Sequence, residues 1–145
     1  MAIYSIADQA TPSGSGAALW EIRTTATDRA ALVELGMSNA TDITPSAEIF
    51  KIGRPAARGI TPTTPLTVLA EDENAPVGTV QTAKAWATGP TAPANFFRIF
   101  RNFHFNAIQW VFPLGLLMAV SASFVIWIST VGTATAHEVY VAVDE

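Results

Sequence analysis

The side chains able to do acid–base, metal or nucleophilic chemistry are few and far apart. Two histidines, His104 and His137, lie on either side of a long apolar run, with no HxH or HExxH spacing to gather a metal ion. Cysteine is absent, which removes a thiolate nucleophile, a disulfide framework and a zinc–thiolate site together. No Gly-x-Ser-x-Gly elbow presents a serine. Gly14-Ser15-Gly16 comes nearest to a phosphate-cradling loop, but it lacks the third glycine, the Gly-Lys-Ser/Thr and the helix that should follow, so it reads as a turn. Glu71-Asp72-Glu73-Asn74 offers carboxylates without the spaced ligands and distal glutamate of a calcium loop, and reads as a solvated turn before Pro76. Asn39-Ala40-Thr41 fits a glycosylation acceptor, yet the start of the chain has no basic and apolar secretory pattern. His104 alternates with aromatics and reads as a packed or rim residue, and His137 in its Thr/Ala/Gly turn as exposed. The expectation is therefore no catalytic residue, no cofactor and no metal ligand.

The elements that would have to position any site are strands. Between Asn102 and His137 there is no Asp, Glu, Lys or Arg. Residues 107–129 alone are long and apolar enough for a membrane helix, which needs about 20 such residues. Pro113, Gly115, Ser121 and Ser123 interrupt that reading. Ile108, Trp110 and Phe112 alternate with other residues, as do Phe124, Ile126 and Ile128, and then Val139, Val141 and Val143. That period of two predicts strands at Phe105–Phe112, Leu114–Ala119, Phe124–Thr130 and Glu138–Val143.

Upstream, Ala2–Ala7 reads as an edge strand or exchanged arm, and Asp8–Gly16 as a loop. Ala17–Thr24 and Ala30–Ser38 read as strands joined into a hairpin by Thr24–Arg29. Ala47–Gly53 is another strand, with Phe50 and Ile52 on one face. Arg54–Pro65, with three prolines, and Gly89–Asn95 are proline loops. Leu66–Ala70 reads as a brief strand, Val77–Thr88 as a short strand or one helical turn, and Phe96–Asn106 as a densely aromatic block. The fold class expected is all-β: a single-domain antiparallel β-sandwich, jelly-roll-like, with an N-terminal arm over residues 1–16.

Composition narrows the function. The 145 residues carry a net charge of −4, with 50% hydrophobic and 14% charged side chains. The eight basic residues are scattered in sequence, unlike a nucleic-acid footprint. A mean hydropathy of +0.31 in so small a β domain implies apolar surface covered by other subunits.

One resemblance spans most of the chain. The opening Met-Ala-Ile-Tyr-Ser-Ile-Ala and Leu32–Asn39 (LVELGMSN) are followed by Trp110-Val111-Phe112-Pro113, then by Gly115–Val120, Phe124–Ile128 and the acidic end Val139–Glu145. In order and length this resembles small tailed-phage virion proteins of the capsid decoration (cement) type. The resemblance implies a β-sandwich made in a host cytoplasm and bound to the outer capsid surface. Its partners would be the major capsid protein and its own copies, most simply as a trimer, with no nucleic acid and no membrane. Docking is expected through low-charge loops and termini, namely Ala2–Gly16, Arg54–Pro65 and Gly89–Asn95. The interface candidates in them are Ile3, Tyr4, Ile6, Pro62, Pro65, Pro90 and Pro93.

Two rival readings come from other classes. One is a single-span membrane protein with its helix at 107–129. The other is a ligand- or glycan-binding β-sandwich that uses an exposed Trp86 or Trp20.

Overall fold

The alternating segments pair as strands. The computed structural model describes residues 2–13, 17–40, 47–62, 65–103, 107–130 and 136–145. In chain order the strands are β1 (Ile3–Ala10), β2 (Ala18–Arg23), β3 (Ala30–Asn39), β4 (Ala47–Gly53), β5 (Ile60–Pro62), β6 (Leu66–Thr67), β7 (Leu69–Ala70), β8 (Gln81–Ala83), β9 (Trp86–Thr88), β10 (Arg98–Phe103), β11 (Ile108–Met118), β12 (Ser123–Thr130) and β13 (His137–Asp144). The first sheet has the order β11-β3-β13-β1-β7 and the second β10-β4-β12-β2-β8-β6, while β5 and β9 form a separate ribbon. The two sheets are antiparallel and pack face to face, so the protein is an all-β sandwich.

The alternation noted in the sequence fills the space between them. Leu32, Leu35, Val139, Val141 and Val143 of the first sheet share one core with Trp20, Ile22, Phe50, Ile52, Phe124, Ile126 and Ile128 of the second. None of these is more than 2% exposed, and burying each side chain of this size contributes about 1.5–3 kcal/mol.

Residues 107–129 form most of β11 and β12, the strands expected of them and not the helix of the rival reading, and no helix among the described residues is long and apolar enough to cross a membrane. Other elements differ from the expectation. The two strands expected on either side of Pro113 are one strand with an irregularity. Between Val111 and Leu116 the strand advances five residues, while its partner β3 advances only two, from Glu34 to Leu32. Gly115 takes a positive φ of 65° there, and a Cβ on it would lie 2.7 Å from the Ala31 Cβ. The extra residues project from the sheet edge, leaving Leu114 97% exposed. Proline is tolerated at such an edge because no neighbouring strand needs its missing N–H.

Thr24–Arg29 is no hairpin either, because β2 and β3 lie in different sheets. The apolar faces of β2 and β3 are both core faces, and the chain has to cross the sandwich for them to meet. Thr24 fixes this crossing against the similar one between β11 and β12. Its hydroxyl donates to Ala119 O (2.6 Å) and accepts from Ala122 N (2.9 Å). Nor is Ile3–Ala10 a free arm or an edge: β1 lies inside the first sheet, paired along its length with β13 and at one end with β7.

The lateral edges of the two sheets coincide. Leu66–Thr67 belongs to the second sheet and Leu69–Ala70 to the first, with Val68 (1% exposed) as the step between them. On the opposite side the Arg98 guanidinium of β10 lies over the Phe112 ring of β11, 5.8 Å from its centroid.

Candidate functional site

The titratable side chains are used mainly to hold the fold. His137 is not exposed, as its turn-like sequence context suggested. It lies in the first turn-to-strand residue of β13, fully buried, with Nε2 3.2 and 3.1 Å from the two oxygens of Glu48 on β4. His104 and Gly14-Ser15-Gly16 lie outside the described residues. Among the described residues no three His, Asp or Glu gather as a metal ligand set.

The two outer faces of the sandwich are treated differently. The second sheet is covered. Leu19, Glu21, Val125 and Trp127 point away from the core yet are buried, because the β5–β9 ribbon and the proline loops lie over them. Phe96 meets Trp127 edge-on at 5.5 Å, and Ala57 and Thr91 form a bridge between the two loops. The layer is clamped by Glu21, whose Oε2 accepts from Trp86 Nε1 at 2.7 Å. Arg23 and Arg58 approach its other oxygen at 3.9 and 4.0 Å. Burial, then the neighbouring Arg23 charge, lowers the Arg58 pKa, and Glu21 opposes that shift. Gly59 is required for the fit, since a Cβ there would lie 2.2 Å from the Trp86 ring.

The first sheet's outer face is open. Tyr140 of β13 lies across Gly36 of β3, where a Cβ would sit 1.9 Å from its ring. Its hydroxyl donates to Glu34 Oε1, which also accepts from Gln109 Nε2 at 2.7 Å. The Tyr140 bond, and next that of Gln109, hold the Glu34 carboxyl below the usual carboxylate range. The bond to Glu34 also pushes the Tyr140 phenol up from its ordinary value. This cluster went unread in the sequence. Its signal is the out-of-core phase that Gln109, Glu34, Gly36 and Tyr140 share.

The docking candidates drawn from the sequence divide. Ile3 is 38% exposed beside β7, and Pro65 is exposed. Tyr4 is a core residue, 2% exposed, its hydroxyl donating to Pro76 O at 3.1 Å. Ile6 is half-buried against the core. Pro62 lies in β5 opposite Trp86. Pro90 is buried and Pro93 half-buried beside Gly53. Tyr4 thus fills the core, and Pro90 belongs to the layer over the second sheet. Of the two tryptophans named for a ligand platform, Trp20 is fully buried, and Trp86 is half-buried with its N–H bonded to Glu21.

What the surface does concentrate is apolar area at its two lateral edges. The β10/β11 side exposes Phe97, Ile99, Phe100, Val111, Leu114, Leu117 and Val120. The β6/β7 side exposes Ile3, Leu66, Leu69 and Val77. Of the large hydrophobics exposed among the described residues, only Ile60 and Tyr140 lie elsewhere. The basic residues are also less scattered than in sequence, since Arg54, Arg98 and Arg101 collect by the β10/β11 edge. The candidate site is this pair of edges. Comparison of the chain with protein-family models, curated proteins and solved structures finds no match.

Proposed function

We propose that this chain is a structural virion protein, a decoration or cement protein that binds the outer surface of a phage head and stabilises its lattice. It would act as a homo-oligomer, with the major capsid protein as its other partner, and be made in the host cytoplasm. No residue is assigned a catalytic, cofactor or metal role, and neither nucleic acid nor membrane is a partner.

The observation that carries the reading is the placement of exposed apolar side chains. A monomer that works alone scatters them singly, whereas clusters mark protein–protein contact. Here they line both lateral edges, Leu114 and Val77 being 97% and 86% exposed. The titratable groups supply the complementary support, because Glu21, Glu48 and His137 are held inside as internal ties.

Such a protein acts by mass action. A ligand that binds only the assembled lattice stabilises each site by about 2.7 kcal/mol at a hundredfold excess over Kd. The test is to add the full chain to particles stripped of it and follow heat-induced rupture. The proposal expects rupture at higher temperature, saturating with added chain. Unchanged rupture at every concentration would refute it.

A further inference from the structure

We infer that the two lateral edges are complementary halves of one interface, through which copies of this chain join head to tail. The inference rests on the assembly reading above and adds which surfaces meet.

The edges carry opposite charge. On the β10/β11 side, Leu114, Leu117 and Ile99 are 97%, 70% and 63% exposed. Arg54 and Arg98 stand among them. Arg54 donates to Leu117 O at 2.8 Å and lies over the Phe97 ring, while Arg98 lies over Phe112. Among the described residues neither guanidinium has a carboxylate partner, and β10 and β11 contain no Asp or Glu. On the β6/β7 side, Leu69 and Val77 are 71% and 86% exposed. Glu71, Asp72 and Glu73 follow β7 directly, all exposed and none in an ion pair among the described residues. Arg29 stands between the two edges, lining one hollow with Val77 and another with Arg54 and Leu117, and does not cancel the three acids.

A two-fold contact would set arginines against arginines, or carboxylates against carboxylates, at each edge. Joining unlike edges instead pairs unlike charges around an apolar centre. The two edges lie on opposite sides of the sandwich, so the contact repeats from copy to copy and closes into a ring when its rotation divides a full turn. The irregular Pro113–Leu114 segment interrupts the β11 edge for strand addition, and it presents an apolar knob where a protective edge would present a charge.

The test is the mass of the full chain by light scattering, with far-UV circular dichroism to check folding. The wild-type chain is expected at a multiple of 15.4 kDa. Reversing one edge, by Glu71→Lys/Asp72→Lys/Glu73→Lys or by Arg54→Glu/Arg98→Glu, should reduce it to the single-chain mass. Reversing both edges in one chain should restore the multiple. Leu114→Asp should also give the single-chain mass, and its fully exposed position keeps folding out of the question. A single-chain wild type at every concentration would overturn the inference, as would reversed variants of unchanged mass or a double reversal without recovery. A ring that leaves particles unbound would refute decoration and keep the ring, while a single chain that saturates particles would do the opposite.

Discussion

His137 Nε2 lies 3.1 Å from Glu48 Oε2, and that contact ties β13 of one sheet to β4 of the other through the core. Both side chains are 1% exposed or less, and the Phe50 ring meets the imidazole edge-on at 5.3 Å. Truncating His137 removes a buried hydrogen bond to Glu48 together with the ring packed edge-on against Phe50. His137→Ala should lower unfolding stability by about 3–5 kcal/mol, whereas the paired change Glu48→Leu/His137→Phe should recover most of it. Chemical denaturation measures both. A loss below about 1 kcal/mol for His137→Ala would show that the pair is not a structural tie.

The clamp on the covered sheet predicts a second loss. Trp86→Phe keeps the ring but removes the N–H that Glu21 accepts, and bonds to charged groups contribute about 1.5–3 kcal/mol. The variant should lose stability in that range and become sensitive to limited proteolysis within residues 84–97. Unchanged proteolysis would place the anchor of the layer elsewhere.

The Glu34–Tyr140 bond predicts a pH dependence. The Tyr140 phenol is raised in the fold, so its contribution is full below the unfolded phenol value and lost as pH rises through the folded one. The Glu34 carboxyl is lowered, so its contribution is present above the unfolded carboxylate value and lost as pH falls through the folded one. Glu34→Gln should bring the Tyr140 titration down toward the ordinary phenol value, read from phenolate absorbance. An unmoved alkaline transition would contradict the assignment.

Deleting Met1–Thr11 should abolish folding. The deletion removes an inner strand together with Tyr4, a core side chain. Loss of the cooperative thermal transition is expected. A folded deletion variant would mean that β1 is dispensable.

The period of two in 108–112, 124–128 and 139–143 made the core legible, because each alternate residue there does meet the opposite sheet. Strand assignment in sequence was good where one face is apolar, and sheet assignment was not. Nothing local tells Thr24–Arg29 to cross the sandwich, since the choice depends on where the partner faces lie. His137 misled because its neighbours are turn formers, while its burial is set by a residue 89 positions away. The prolines misled in the same way: composition marks a loop, not whether it covers a sheet. Leu114–Ala119 reads in sequence as a strand of its own, and only the irregularity at Gly115 explains why Leu114 and Leu117 face outward.

The most direct test of the central claim is the number of chains per capsid subunit on purified particles, titrated with added chain and measured by quantitative gel. Decoration predicts a plateau at a fixed ratio that further protein does not exceed. Absence from the particles, or binding that rises without a plateau, would contradict it.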